Sequence, residues 1–206
     1  MSDQDTETKE TTDSSEAPEE KEVDHLADLS ELEKIKAELQ KEKVYAFYKV
    51  WGTSADNLYI VGQRGVMLHW NGSELTEVDT GTHEDLISLW GTGPDRIAAV
   101  GGRTNGVIAR YDGTAWSTTA LDLAPGLNGI WMGNPNTLHV AGNMATLMSL
   151  DFDTLKETEY DINTGLDFHA IFGGANGNLS VVGGNFRAPN GPFQGIVVQA
   201  ELKNLK

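Results

Sequence analysis

From Val44 onward the chain repeats itself about every forty residues, and that repeat constrains the fold more than any other feature. An aromatic residue near a glycine marks each unit: Val50-Trp51-Gly52, Leu89-Trp90-Gly91, Ile130-Trp131-Met132-Gly133 and Ile171-Phe172-Gly173. The aromatic positions lie 39, 41 and 41 residues apart. A second column follows with the same spacing: Leu58-Tyr59-Ile60-Val61-Gly62, Ile97-Ala98-Ala99-Val100-Gly101, Leu138-His139-Val140-Ala141-Gly142 and Leu179-Ser180-Val181-Val182-Gly183. A third runs through Val66–Trp70, Val107–Tyr111, Thr146–Leu150 and Ile196–Ala200. One period shared by three columns marks stacked supersecondary units, as in propellers and solenoids.

Each column has the β-branched and aromatic content of a short strand, bounded by Gly, Asn, Asp and Pro. Asn71-Gly72 and Asp112-Gly113 follow the third strand, where a hairpin needs positive φ. A more polar fourth strand is expected over Glu74–Thr80, Ala115–Leu121 and Lys156–Ile162. Four short antiparallel strands per unit make a propeller blade. The expected fold is therefore all-β and β-propeller-like, with four blades over residues 44–206. The last unit lacks an obvious fourth strand. A self-closed ring, a ring shared by two chains and an open array that borrows a partner's surface all remain compatible. Residues Val44–Phe47 are expected to close the ring at the fourth blade.

Every glycine of the chain lies between Gly52 and Gly195, while residues 1–24 carry ten acidic and two basic side chains. That segment holds half of the formal net charge of −16. With one Val, one Ala and no aromatic residue it buries too little apolar surface to offset its ordering entropy, so it is expected to be a disordered acidic tail. It has no apolar core flanked by basic residues, as a signal peptide would. Residues 25–43 place Leu26, Leu29, Leu32, Ile35 and Leu39 on one face of a short amphipathic helix. Residues 1–43 together hold −9, which leaves −7 on the repeats. That balance disfavours nucleic acid, whose phosphates need clustered Lys and Arg. No run of 18 apolar residues offers a membrane span. The chain has no cysteine, which excludes disulfides, thiolate metal sites and cysteine nucleophiles.

The pattern, clearest from Leu89 to Trp116 with its ending Tyr111-Asp112-Gly113-Thr114-Ala115-Trp116, resembles bacterial propeller repeats of surface lipoproteins. More distantly it is similar to BNR-like and photosystem II assembly-factor-like propellers. The resemblance covers about residues 47–202. It implies a propeller with an exported or cell-envelope setting. The Ser-x-Asp-x-Gly-x-Thr-Trp box of sialidases is absent, so their activity is not implied. The Gly-His and Trp-Asp pairs of WD40 repeats are absent too. The glycine doublets fall in different columns, against kelch.

A search for chemistry is mostly negative. No Gly-x-Ser-x-Gly, His-Glu-x-x-His, P-loop or Rossmann fingerprint occurs. His25, His69, His83, His139 and His169 are not at ligand spacing, and His69 and His139 read as hydrogen-bonded strand residues. Asp151 and Asp153 lack the ligand set of a calcium loop. No metal, cofactor or catalytic residue is expected. Trp51, Trp90, Trp131 and Phe172 read as the core between blades.

One link breaks the repeat. Between second and third strands the first three blades use Gln63-Arg64, Gly102–Asn105 and Asn143-Met144, whereas the fourth uses Gly184–Gln194. A long loop on a regular scaffold is where function is grafted. A binding face is therefore expected from Phe186, Arg187, Phe193, Arg64, Arg103, His83 and Asp167. It would serve a non-enzymatic binding or scaffolding module for a protein, small ligand or glycan. Two alternatives stay open: a glycan-active hydrolase or lyase at the propeller mouth, and a structural subunit that completes a larger ring with a second chain, for example as a homodimer.

Overall fold

The computed structural model describes residues 45–122, 124–174, 177–185 and 192–201. The chain divides into Met1–Val44 and Tyr45–Lys206, and the described residues belong to the second unit. The expected acidic tail and amphipathic helix lie outside the described residues.

Among the described residues fifteen strands form four antiparallel sheets in chain order. The first sheet holds β1 (Phe47–Ser54), β2 (Asn57–Gly62), β3 (Met67–Trp70) and β4 (Leu75–Glu77). The second holds β5 (Leu86–Gly93), β6 (Arg96–Gly101), β7 (Gly106–Tyr111) and β8 (Trp116–Leu121). The third holds β9 (Leu127–Asn134), β10 (Thr137–Gly142), β11 (Leu147–Asp151) and β12 (Glu157–Glu159). The fourth holds β13 (Asp167–Gly173), β14 (Asn178–Gly184) and β15 (Gly195–Glu201). Each repeat column is one strand of a propeller-like sheet, and the polar fourth strand is present in the first three sheets. The last sheet has three strands among the described residues.

Period-two alternation gives each sheet two apolar faces, so sheets must stack face to face. The paired row Leu89, Ala99 and Ala109 of the second sheet is fully buried against Tyr59, Val61 and Met67 of the first. Ile130, Val140 and Met148 of the third sheet cover Ala98, Val100 and Ile108 of the second. Ile171 and Val181 of the fourth sheet cover Trp131, Ala141 and Leu147 of the third. Each fully buried Leu, Ile or Val contributes roughly 1.5–3 kcal/mol of burial free energy.

The stack does not close. The outer face of the first sheet leaves Val50 at 55% exposure, and that of the fourth leaves Val182 at 44% and Val197 at 69%. Two expectations are corrected here. Phe172 is not core: it is 59% exposed, because among the described residues no following sheet covers it. Residues 46 and 47 do not complete the fourth sheet. Phe47 pairs with Gly62, and the Ala46 carbonyl accepts the Gln63 N–H at 2.9 Å, so both belong to the first sheet.

Candidate functional site

In an antiparallel up-and-down sheet, the links between second and third strands emerge at the same end as the links that lead into the next sheet. The structure organises this end around two buried or half-buried aspartates. Asp85 sits just before β5 with 8% exposure. Its Oδ1 accepts the Arg64 N–H at 2.9 Å, its Oδ2 accepts the Arg103 guanidinium, and its backbone carbonyl accepts the Gly102 N–H at 2.8 Å. Tyr48 Oη approaches Oδ2 at 3.5 Å. One carboxylate thus ties together links from the first and second sheets.

Arg64 reaches this carboxylate because its backbone is left-handed, at φ 56°. Such a conformation costs a non-glycine residue of order 1 kcal/mol and persists where its surroundings hold it. Here the Asp85 hydrogen bond holds it. The arrangement recurs two repeats later. Met144 is also left-handed, at φ 54°, and its N–H donates to Asp167 Oδ1 at 2.9 Å. Asp167 opens β13 as Asp85 precedes β5. In the repeat between them the equivalent position is Gly126, whose carbonyl accepts the Asn143 N–H at 2.9 Å. The same backbone bond is made by the Asp85 carbonyl, so what alternates is the carboxylate: present at the first-to-second and third-to-fourth junctions, and lacking where Gly126 stands.

Of the expected site residues, Arg64, Arg103 and His83 are brought together near Asp85. Arg103 keeps a side chain that is 69% exposed. Arg64 and His83 line a cleft of about 390 Å³ together with Tyr45, Glu77, Asp79 and Thr80. Asp167 belongs to the other junction, two sheets away. Phe193 lies in the fourth-sheet link at 76% exposure. The ends of that link are clamped by Asn185: its Nδ2 donates to the Pro192 carbonyl at 2.9 Å, and its Oδ1 accepts the Gln194 N–H at 2.6 Å. Phe186 and Arg187 lie outside the described residues. The residue missing from the sequence reading is Asp85, and its signal was available: it stands in the same column as Asp167.

His139, His69 and the acidic turns serve the scaffold. His139 is buried, stacked on Trp131 with ring centroids 5.5 Å apart. Its Nδ1 lies 2.7 Å from Ser149 Oγ, which lies 2.9 Å from Tyr160 Oη. Burial pushes this imidazole down to about 4, so it is neutral at pH 7. His69 stacks on Tyr59 and meets Asn57 Oδ1 at 2.7 Å. Asp151 caps its own turn, accepting Thr154 N–H and Oγ1 at 2.8 Å each. Asp153 pairs with Arg96 at 2.7 Å. Among the described residues no group of three His, Cys, Asp or Glu side chains is placed to hold a metal ion.

No family model and no curated protein matches the chain. Its fold is similar to that in the crystal structure of the tricorn protease, with a TM-score of 0.57 at 14% sequence identity. The similarity covers 78% of this chain but only 16% of that one, so the chain spans a small part of that protein's length. At this identity the likeness establishes a shared all-β, propeller-like fold.

Proposed function

We propose that this chain is a non-enzymatic binding or scaffolding module that engages a protein or glycan through the link-bearing end of its propeller-like stack. One observation carries this reading: the buried Asp85 carboxylate takes the Arg64 backbone N–H and the Arg103 guanidinium, from links of two different sheets, and Arg64 lines the adjoining cleft. The Arg103 guanidinium, already held by Asp85, loses less freedom on binding than an unheld one. Arg103, with most of its side chain in solvent, suits a carboxylate-bearing surface. The exposed Phe193 and Met144 at the same end supply apolar area.

The test is capture from a bacterial cell-envelope fraction by the wild-type chain, compared with Arg103→Ala, Phe193→Ala and Arg96→Ala. The reading expects the first two variants to lose the captured species, and Arg96→Ala, at the opposite end, to keep it. Equal capture by all four overturns it.

A glycan-cleaving reading has one observation in its favour, since Glu77, Asp79 and His83 line the same cleft. Both carboxylates are exposed, and Asp79 Oδ1 already accepts the Gly81 N–H at 2.9 Å. A general acid needs a carboxyl group in an apolar enclosure, which this cleft does not offer. Release of reducing sugar that disappears in Glu77→Gln would reverse the preference.

A further inference from the structure

The two ends of the sheet stack are unfinished in complementary ways. Each sheet presents one apolar row to the sheet before it and another to the sheet after it. The backward-facing rows are equivalent by repeat position: Leu89-Ala99-Ala109, Ile130-Val140-Met148 and Ile171-Val181-Val198 are packed against a preceding sheet. The corresponding row of the first sheet is Val50-Ile60-Leu68, aligned across β1, β2 and β3. Among the described residues no sheet precedes it, and Val50 is 55% exposed.

The forward-facing pairs behave in the same way. Val61-Met67, Val100-Ile108 and Ala141-Leu147 are buried to 1% exposure or less. The corresponding pair of the fourth sheet is Val182-Val197, aligned across β14 and β15 and left open. The aromatic column repeats the mismatch. The Trp51 ring rests where a side chain on Gly91 would stand, and the Trp131 ring where one on Gly173 would stand. Phe172 is next in the column, and it has no following glycine. Gly52 is first among the glycines, and it has no preceding ring.

We infer that a second copy of this chain covers both faces, so that two chains close one ring of eight sheets. The fourth sheet of each copy packs on the first sheet of the other, with Phe172 set against Gly52 of the second copy. The occupant follows from continuity with the three sheet-to-sheet interfaces inside one chain. What each end lacks is what the other end presents. The alternation of junctions agrees with this. The second-to-third junction has Gly126 in place of a carboxylate, and Ala46, likewise without one, stands at the equivalent position where a fourth-to-first junction would form. Head-to-tail contacts either close or grow into filaments, and the two-chain ring closes after two identical contacts.

The experiment is sedimentation equilibrium of the full chain over a hundredfold concentration range. The ring requires twice the 22.3 kDa of one chain. Val50→Asp and Val197→Asp each place a charge on one open face and should each give a monomer with unchanged β-sheet circular dichroism. Thermal unfolding of the wild type adds a readout that needs no variant: its midpoint should rise with protein concentration. A wild-type monomer throughout the range, a mass that grows beyond twice that of one chain, or a midpoint independent of concentration overturns the two-chain ring. None of these readouts depends on ligand capture, so the binding module and the ring fail separately.

Discussion

The Trp51 ring of the first sheet occupies the space that a Cβ on Gly91 of the second would need: that atom would stand 2.6 Å from the indole and 2.7 Å from the Arg96 carbonyl. The Trp51-Gly91 and Trp131-Gly173 pairs are therefore contacts between neighbouring sheets rather than features of one strand, while Trp90 meets Met132, its indole N–H donating to that residue's carbonyl at 3.1 Å. Glycine is required because it has no side chain in the path of the preceding sheet's ring. Gly91→Ala should lower stability by about 1–3 kcal/mol, because neither the packed ring nor the hairpin backbone can retreat cheaply. Urea unfolding followed by tryptophan fluorescence checks this, and an unchanged midpoint would mean that the sheets slide apart at little cost.

Asp85 separates two kinds of stabilisation at one carboxylate. Removing it by Asp85→Ala strands the Arg64 N–H beside a left-handed backbone and should cost about 2 kcal/mol. Asp85→Asn keeps an oxygen for that N–H and loses only the ion pair with the largely exposed Arg103, a term worth at most about 1 kcal/mol. The expected order of urea midpoints is wild type, then Asp85→Asn, then Asp85→Ala. Two variants of equal stability would show that the ion pair, not the backbone cap, holds the junction.

Which parts of this architecture could be read beforehand depends on the range of the force involved. Strand positions followed from local alternation and turn chemistry, so β2, β6, β10 and β14 fall on the second repeat column. The polar outer strands were visible for the same reason in Leu75–Glu77 and Glu157–Glu159. Phe172 was misread because its column predicts burial only when another sheet follows, and an end effect leaves no mark in a repeat. Asp85 escaped notice because an aspartate before a strand is ordinary in sequence. Its burial arises only when links from two sheets converge on it. Arg64, Arg103 and His83 were readable as loop residues at one end, whereas Asp167 joins them in topology but not in place.

His139 makes the packing between the third and fourth sheets sensitive to acid. Burial holds its imidazole at about 4 against an ordinary 6.5. Between these values the unfolded chain binds a proton that the folded chain refuses. Stability therefore falls as pH drops through this window and levels off below it. From pH 7 to pH 5 the loss from this group should be about 2 kcal/mol. His139→Gln, which does not titrate there, should be less stable at pH 7 but should lose less on acidification. Urea unfolding at both pH values measures the difference. Parallel losses in the two proteins would place the acid sensitivity elsewhere.

Asp112 behaves oppositely, at the surface. Its Oδ1 accepts Thr114 Oγ1 at 2.7 Å, the Thr114 N–H at 2.8 Å and the Ala115 N–H at 3.0 Å. The hydroxyl of Thr114, with the two backbone N–H groups, holds the carboxyl down to about 2 from an ordinary 3.8. The turn's contribution is complete above the ordinary value and is lost as pH falls through the lower one. Asn71 makes the same set of bonds after β3, to Ser73 N–H and Oγ and to Glu74 N–H. Asp112→Asn should therefore keep the hairpin intact at pH 7 and remove its acid limb. Carboxyl chemical shifts of the wild type followed to low pH should show this group titrating well below its neighbours. A midpoint at the ordinary aspartate value would show that the three bonds are not kept in solution.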